Sequence, residues 1–306
     1  MKIKIGTRGS KLALWQAHHV EDKLKAAGFE TEIVTIETKG DKILDVSIAK
    51  IGSKGVFTEE IEEQLQNGTI DIAVHSAKDM QSSLPEGFEL IAFMEREQAN
   101  DVIVSNKKIN LTPDSEVLLG TSSTRRVATL KAHYPKVKTV AVRGNLQTRI
   151  RKMNEGACDA LLLAYAGVHR MGYEEMISQH LPLDQFTPAV GQGSVAIEVH
   201  NSLDDDKKKS LKRILNHAPT ASCLLAERSF LKTMDGGCSI PVFAMATIQG
   251  DALKIVGGII SLDGKEEIRI TKTGPLDKPM KLGFELASEV LTSGGKQILD
   301  EIKNQL

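Results

Sequence analysis

The sequence repeats one order of elements within its first 190 residues. "IKIGTRGSKLALWQAHHVEDKL" begins at Ile3 and "VLLGTSSTRRVATLKAHYPKV" begins at Val117. Each predicts a short apolar strand, a Gly-Thr step, a turn of small polar residues and an amphipathic helix. The hydroxyl side chains in both turns are typical helix N-caps. One face of each helix is apolar: Leu12, Trp15, His19 and Val20 in the first, and Val127, Leu130 and Tyr134 in the second.

A second pair of segments extends the repeat. "KGVFTEEIEEQLQNGTIDIAVHSAKD" begins at Lys54 and "RGNLQTRIRKMNEGACDALLLAYAG" begins at Arg143. Both predict a helix that ends in glycine, then an aspartate, then an apolar strand that leads into a loop. Because the same order occurs twice, it predicts two α/β lobes with mostly parallel sheets. A chance match between two ordinary βα units is the alternative. The shared glycines and aspartates are Gly68, Gly156, Asp71 and Asp159.

The rest of the chain differs in character. "TPAVGQGSVAIEV" from Thr187 predicts a turn and a strand that returns to the first lobe, and "DDDKKK" from Asp204 predicts a solvated helix start. From about Asn216 a helix precedes alternating strands, with hairpin turns at 249–251 and 263–264, and a last amphipathic helix starts near Pro279. These segments predict a small α+β third domain.

Composition narrows the class of protein. Hydrophobic residues make up 41% of 306 residues, the net charge is −1, and no apolar run approaches the length of a membrane span. We therefore expect no membrane or nucleic-acid partner. The N-terminal residues already have the character of a strand, so we expect no secretory signal. Three scattered cysteines, Cys158, Cys223 and Cys238, are too few for a disulfide framework or a zinc site, so we expect a reduced, cytoplasmic protein without a metal.

Cations concentrate in the predicted loops, which indicates an anionic small ligand. Taken singly, each is equally typical of a solvated surface charge. Adjacent Arg125 and Arg126 open a helix, where cations oppose the helix dipole, so a ligand with several negative charges would relieve their repulsion. The loop cations are Arg8, Lys50, Lys54, Lys78, Arg125, Arg126, Arg143, Arg149 and Arg170.

Two further residues are candidates for chemistry. Asp79 follows the apolar strand 70–74 beside Lys78, where a carboxylate could stabilise a cation or move a proton, or simply cap a turn. Cys238 lies in the glycine loop "DGGCSIP", where the thiol could be reached for covalent attachment. An incidental cysteine in a turn is the alternative. A cysteine hydrolase would need a histidine partner that this segment lacks.

Together these motifs resemble the porphobilinogen deaminase (hydroxymethylbilane synthase) family in order along almost the whole chain. The segments that carry the resemblance are "GTRGSKLALWQA", "AKIGSKGVFTEE", "DIAVHSAKDM", "GTSSTRRVATL", "VRGNLQTRIRKM", "PAVGQGSVAIE" and "LAERSFLKTMDGGCSIP". The resemblance implies a monomer with two lobes like those of type II periplasmic binding proteins. On this basis we expect domains at 1–95 plus about 194–215, at 96–193, and at 216–306.

The resemblance also implies a reaction. Four porphobilinogen molecules are joined head to tail with loss of ammonia, and the chain grows on a dipyrromethane cofactor held by a thioether to Cys238. Asp79 corresponds to the catalytic aspartate. Cofactor contacts are implied for Lys78, Asp79, Ser122, Ser123, Arg125, Arg126, Arg143 and Asn145; substrate contacts for Arg8, Ser10, Phe57, Arg149, Arg170 and Gln192; and a mobile lid for Lys50 and Lys54.

A non-catalytic two-lobed binding protein for a small carboxylate is the other hypothesis, because a fold does not determine a function. It predicts a signal peptide or a DNA-binding appendage, and it leaves the third domain and Cys238 unexplained.

Overall fold

The computed structural model describes residues 2–42, 58–237 and 239–305. Described strands and helices are, in chain order, β1 (Lys2–Arg8), α1 (Lys11–Ala26), β2 (Glu30–Ile36), α2 (Lys39–Lys42), α3 (Glu59–Gln66), β3 (Ile72–Ser76), β4 (Phe88–Phe93), β5 (Asp101–Val104), β6 (Leu118–Gly120), α4 (Thr124–His133), β7 (Lys138–Val140), α5 (Leu146–Asn154), β8 (Ala160–Ala164), α6 (Tyr165–Arg170), β9 (Ile177–His180), β10 (Val195–His200), α7 (Asp205–Leu215), α8 (Ala218–Thr233), β11 (Val242–Gln249), β12 (Ala252–Ile260), β13 (Glu267–Pro275), α9 (Pro279–Val290) and α10 (Lys296–Gln305).

Two five-stranded sheets form the two lobes. The first has the order β2-β1-β3-β10-β4 and the second has the order β7-β6-β8-β5-β9. In each sheet three neighbouring strands are parallel, and the fourth strand is antiparallel to both of its neighbours. Those antiparallel strands, β5 and β10, each follow a crossover between the lobes, at 94–100 and 181–194. The predicted return of the chain to the first lobe is therefore confirmed.

The sequence repeat is also a repeat of hydrogen bonds. Asp71 donates its backbone N–H to the carbonyl of Lys4 (2.9 Å), and its carboxylate accepts from the Lys4 N–H (2.7 Å). Asp159 makes the same pair of bonds with Leu118, both at 2.9 Å. Each aspartate thus joins the start of one strand to the strand beside it. This agreement favours a structural repeat over a chance match.

The apolar face of α1 serves two purposes. Val20 is buried in the first lobe with Ala17 and Leu24. Trp15 and His19 lie beside that stripe and stack with their ring centres 5.2 Å apart. The Arg170 guanidinium of the second lobe lies 5.2 Å above the Trp15 ring. Part of the predicted face therefore contacts the opposite lobe, because α1 runs along the seam.

The third domain has the predicted architecture. Strands β11, β12 and β13 form an antiparallel sheet with both predicted hairpins, and α8 and α9 share its core. A helix, α9, starts at Pro279 as predicted, but it is not the last, because Gly294 with a φ of 109° separates it from α10. The fold class is confirmed: two α/β lobes and a smaller α+β domain. The exact domain boundaries stay a prediction. Among the described residues, no helix has both the length and the apolar character that crossing a membrane requires.

A glycine in the second crossover allows a close approach to the turn before Asp79. Gly191 has a φ of 76°, and a Cβ built there would lie 2.9 Å from the Ala77 carbonyl carbon and 3.0 Å from the Lys78 nitrogen. We expect Gly191→Ala to lower the free energy of unfolding by about 1–3 kcal/mol from backbone strain alone. The clash with the 77–78 backbone adds to that loss, so activity should fall as well. Urea unfolding measures the first effect.

Gly250 provides the matched control. It also has a positive φ, 59°, but a Cβ there would meet nothing within 4 Å. Gly250→Ala should therefore lose only the backbone contribution and keep full activity. Equal losses of stability in the two variants would show that the contact with residues 77–78 has no energetic weight.

Candidate functional site

An open cleft lies where β1 and β3 end. Ser10 is the N-cap of α1, and its hydroxyl accepts from the Ala13 N–H (3.3 Å). Ser76 accepts a hydrogen bond from the Gln16 amide nitrogen (2.9 Å), which links the end of β3 to α1. These bonds hold the walls of the cleft in place. Its polar lining residues are Arg8, Ser10, Gln16, Thr58, His75, Ser76 and Asp79.

Lys78 and Asp79 lie in one turn of 3₁₀ helix directly after β3. Asp79 is exposed to the cleft, whereas Lys78 is half-buried. Burial lowers the pKa of the Lys78 ammonium to about 8, and Arg126 and Arg149 act in the same direction. Asp79 and Asp101 oppose them. Cations from the second lobe therefore lie close to the Asp79 turn of the first lobe.

Arg125 and Arg126 begin α4 and share one buried carboxylate. The Asp101 oxygens accept from Arg125 Nη2 (2.8 Å) and from Arg126 Nη2 (2.6 Å). Arg125 also donates Nη1 to the Thr187 carbonyl, and Arg126 donates Nη1 to the Leu162 carbonyl. Burial alone would raise the pKa of Asp101, but the two guanidiniums hold it well below its usual range.

Asp101 corrects one expectation from the sequence. The mutual repulsion of Arg125 and Arg126 is relieved by a carboxylate of the chain itself and not by a ligand alone. Nevertheless, the Nε–H of each arginine is buried and has no hydrogen-bonding partner among the described residues. Such donors are costly to leave unpaired, so they suit an anionic ligand. The sequence feature that could have identified Asp101 is its position: it is an acidic residue directly before the apolar run 102–104, at the end of a crossover.

The remaining second-lobe candidates lie at the starts of α4 and α5 and in the loops that precede these helices. Asn145 caps α5 by accepting from the Thr148 N–H (2.9 Å), and Arg149 donates Nε to the Gly144 carbonyl (2.8 Å). Burial and the nearby Arg126 lower the pKa of Arg149. Arg143 lies directly before Gly144, and its positive charge also lowers the pKa of Arg149. Ser122 donates to the Val142 carbonyl and Ser123 caps α4.

Arg170, the last residue of α6, and Gln192 of the second crossover both contact the connections between the lobes. Arg170 donates Nη2 to the Gly193 carbonyl (2.7 Å) in addition to its contact with Trp15, and burial lowers its pKa. Gln192 is buried and donates its amide to the Ala99 carbonyl (2.6 Å) and to Asp101 (2.9 Å). Both side chains therefore join the two lobes, and a substrate contact for either stays a prediction.

A buried ion pair that sequence reasoning missed ties the third domain to both crossovers. Arg96 makes a two-pronged contact with Glu227 of α8, and its Nε donates to the Gln192 carbonyl (2.8 Å). Glu227 also accepts from the Gly191 N–H (2.9 Å) and from the Ala246 N–H (2.8 Å). One carboxylate thus links α8, β11 and both connections between the lobes.

Some predicted residues are not part of this geometry. Lys50, Lys54, Phe57 and Cys238 lie outside the described residues, so the lid, the stacking aromatic and the attachment site stay predictions. Cys158 and Cys223 are buried, and burial raises the pKa of both thiols, to about 11 for Cys223. Both side chains are packed in the interior of the protein.

Comparisons with known proteins match the whole architecture. Residues 3–209 match the family model "Porphobilinogen deaminase, dipyromethane cofactor binding domain", and residues 221–292 match "Porphobilinogen deaminase, C-terminal domain". A porphobilinogen deaminase from Desulfosudis oleivorans is 53% identical over 307 residues, covering 100% of this chain and 99% of the relative. Another from Cytophaga hutchinsonii is 55% identical over 309 residues, covering 99% and 98%.

Solved structures resemble the chain at lower identity. The second substrate binding domain of a putative amino acid ABC transporter from Streptococcus pneumoniae has a TM-score of 0.43 at 15% identity, covering 70% of this chain and 91% of that one. The VFT2 domain of BvgS from Bordetella pertussis has a TM-score of 0.39 at 14% identity, covering 70% and 91%.

The fold and the cleft define a two-lobed α/β protein that has a polar cleft beside the Asp79 turn, cations of the second lobe close to that turn, and a third α+β domain. Family models that span most of the chain, and relatives that match along its full length, identify the group within that class. This chain belongs to the porphobilinogen deaminase family. It is a transferase of tetrapyrrole biosynthesis, and residues 3–209 form its dipyrromethane cofactor binding domain.

Proposed function

We propose that this chain joins four porphobilinogen molecules head to tail, with loss of ammonia, to give hydroxymethylbilane. One observation carries the proposal: the exposed Asp79 carboxylate lies in the cleft with cations of both lobes around its turn. Each pyrrole of the substrate carries an acetate and a propionate. Arginine and lysine side chains are suited to these carboxylates, which leaves Asp79 for the positive charge that develops when ammonia departs.

Asp79 has three tasks in this proposal. Its carboxylate assists the departure of ammonia, stabilises the azafulvenium-like cation of the substrate, and helps to remove the proton from the new pyrrole linkage. A fixed negative charge in a preorganised site lowers the barrier because it needs no rearrangement when the cation forms. The rigid turn after β3, backed by Gly191, supplies that fixed position.

The described residues fit the dipyrromethane cofactor. Its pyrroles carry several carboxylates, and the buried Nε–H donors of Arg125 and Arg126 still need acceptors. We propose that Lys78, Ser122, Ser123, Arg143 and Asn145 complete the cofactor contacts, that Cys238 carries the thioether, and that the cofactor supplies the primer on which the product grows. We further propose that the enzyme is a monomer and that Lys50 and Lys54 belong to a mobile lid. The proposed substrate contacts are those that the resemblance implies: Arg8, Ser10, Phe57, Arg149, Arg170 and Gln192.

Ammonia release with porphobilinogen tests the function directly. The purified protein should release one ammonia for each porphobilinogen consumed, and a linear tetrapyrrole should accumulate. If porphobilinogen binds without ammonia release, the non-catalytic binding protein replaces the enzyme.

The pKa of Lys78 predicts a pH dependence. Because the ammonium loses its proton as the pH rises through about 8, its attraction for a carboxylate should fade above that pH. Because that carboxylate belongs to the cofactor on which the product grows, we expect kcat/KM to fall severalfold between about pH 7 and 9.5. Lys78→Arg, which stays charged, should flatten that fall. An unchanged slope in the arginine variant would contradict a role for Lys78 in holding the cofactor.

A further inference from the structure

His75 is a titratable residue of the cleft to which the proposed function gives no task. It lies on β3, and its ring forms part of the cleft wall with Asp79. Its Nε2 is buried and lies 3.0 Å from a carboxylate oxygen of Glu198 on the adjacent strand β10. Side-chain exposure is 6% for His75 and 0% for Glu198. The antiparallel register, which pairs Ala196 with His75, fixes the two side chains beside each other.

Glu198 needs a positive neighbour. Neither of its carboxylate oxygens has an aligned hydrogen bond within the described part of the chain. A buried carboxylate without compensation is costly, so a proton held between it and the imidazole is the least expensive arrangement. Other charged groups near this pair are Glu62 of α3, Arg228 of α8, Asp79 in the following turn and Arg8 across the cleft.

We propose that His75, positioned by Glu198, is a second acid–base group of the cleft and takes the proton that the accepting pyrrole loses. This inference rests on the proposed function. In each condensation the C–N bond of the substrate's protonated aminomethyl group breaks, and its electron pair leaves with ammonia. A C–C bond forms to the free α-carbon of the accepting pyrrole. The hydrogen on that carbon departs as a proton, which passes to His75 and then to solvent.

The reaction needs one group that stabilises the cation and another that takes the proton, and Asp79 and His75 divide these roles. Asp79 helps to draw the proton off the new linkage through its negative charge, but a carboxylate that keeps a proton has lost that charge, so His75 is proposed as the group that holds the proton. The best base has a pKa near the working pH, and imidazole is the side chain that ordinarily changes charge between about pH 5 and 8. Among the described residues that line the cleft, the other titratable side chain, Arg8, keeps its proton.

Variants at both positions test the proposal. His75→Gln keeps a donor toward Glu198 but cannot take up a proton, so kcat should fall about 100-fold or more while KM changes less than threefold. His75→Ala should be rescued by added imidazole and not by pyrazole, which has the same shape but is a far weaker base. Glu198→Gln should lower kcat and shift the acid limb of its pH profile. His200→Gln, farther along β10, is the matched control and should keep the wild-type kcat.

Nitrogen-15 NMR of histidine-labelled protein supplies a readout independent of turnover. At neutral pH, His75 should carry a proton on Nε2, and Glu198→Gln should change that signal. The proposal is overturned if Nε2 is unprotonated, if His75→Gln keeps its kcat, or if only KM rises, which would indicate carboxylate binding. Failure of the wild-type protein to release ammonia would instead defeat the proposed function, and the NMR result would still describe the pair.

Discussion

Replacing Asp79 by Asn is expected to lower kcat by about 10²–10⁴-fold. The amide keeps the shape of the side chain in the 3₁₀ turn but loses the negative charge that stabilises the developing cation. The turn itself, packed under Gly191, should be unchanged, and the cofactor should remain attached. Steady-state ammonia release measures kcat, and intact-mass spectrometry measures cofactor loading in the same preparation.

Glu86→Gln is the matched control for that experiment. Glu86 is the next carboxylate along the chain and is exposed away from the residues that line the cleft. It should keep wild-type activity. An Asp79→Asn enzyme that retained a tenth of the wild-type kcat or more would show that the charge has little part in the chemistry.

Replacing Asp101 by Ala is expected to cost about 3–5 kcal/mol of folding free energy. The substitution leaves the guanidiniums of Arg125 and Arg126 buried side by side without their shared carboxylate. It also removes one of the two acceptors for the Gln192 amide at the second crossover. Chemical denaturation measures the loss, and cofactor loading should fall with it because the arginine pair loses its orientation.

The same carboxylate predicts how stability depends on pH. The pKa of Asp101 is lower in the folded protein than in the unfolded chain, so its contribution is complete above the ordinary aspartate pKa of about 3.9. That contribution is lost as the pH falls through the folded-state pKa. Asp114→Ala is a suitable control, since Asp114 forms an exposed ion pair with Lys136. If Asp101→Ala and Asp114→Ala lost equal amounts of folding free energy, the buried carboxylate would contribute no more to stability than an exposed one, which would contradict the account.

Local patterns predicted the elements well because hydrophobic periodicity and capping act over a few residues. The repeated strands, the return of the chain after Thr187, the two hairpins and the helix start at Pro279 all follow from such patterns. The caps of α1 and α4 at Ser10 and Ser123 were likewise visible in the sequence.

The ion pairs that hold the site could not be predicted in this way. Asp101 meets Arg125 and Arg126 only once the second lobe has folded, and Arg96 meets Glu227 only once the third domain packs against the crossovers. His75 meets Glu198 because β10 enters the first sheet beside β3. In the sequence, β10 comes only after the whole second lobe, so no local pattern predicts this contact. Acidic residues with long-range partners look like ordinary surface charges in a sequence.

Peptide mapping by mass spectrometry, before and after incubation with porphobilinogen, tests the central claim most directly. The account predicts an added mass of two linked pyrroles on the peptide that contains Cys238, and none on the peptides of Cys158 or Cys223. Cys238→Ser should carry no such mass. An active protein without added mass on Cys238, or with the mass on a buried cysteine, would contradict the account.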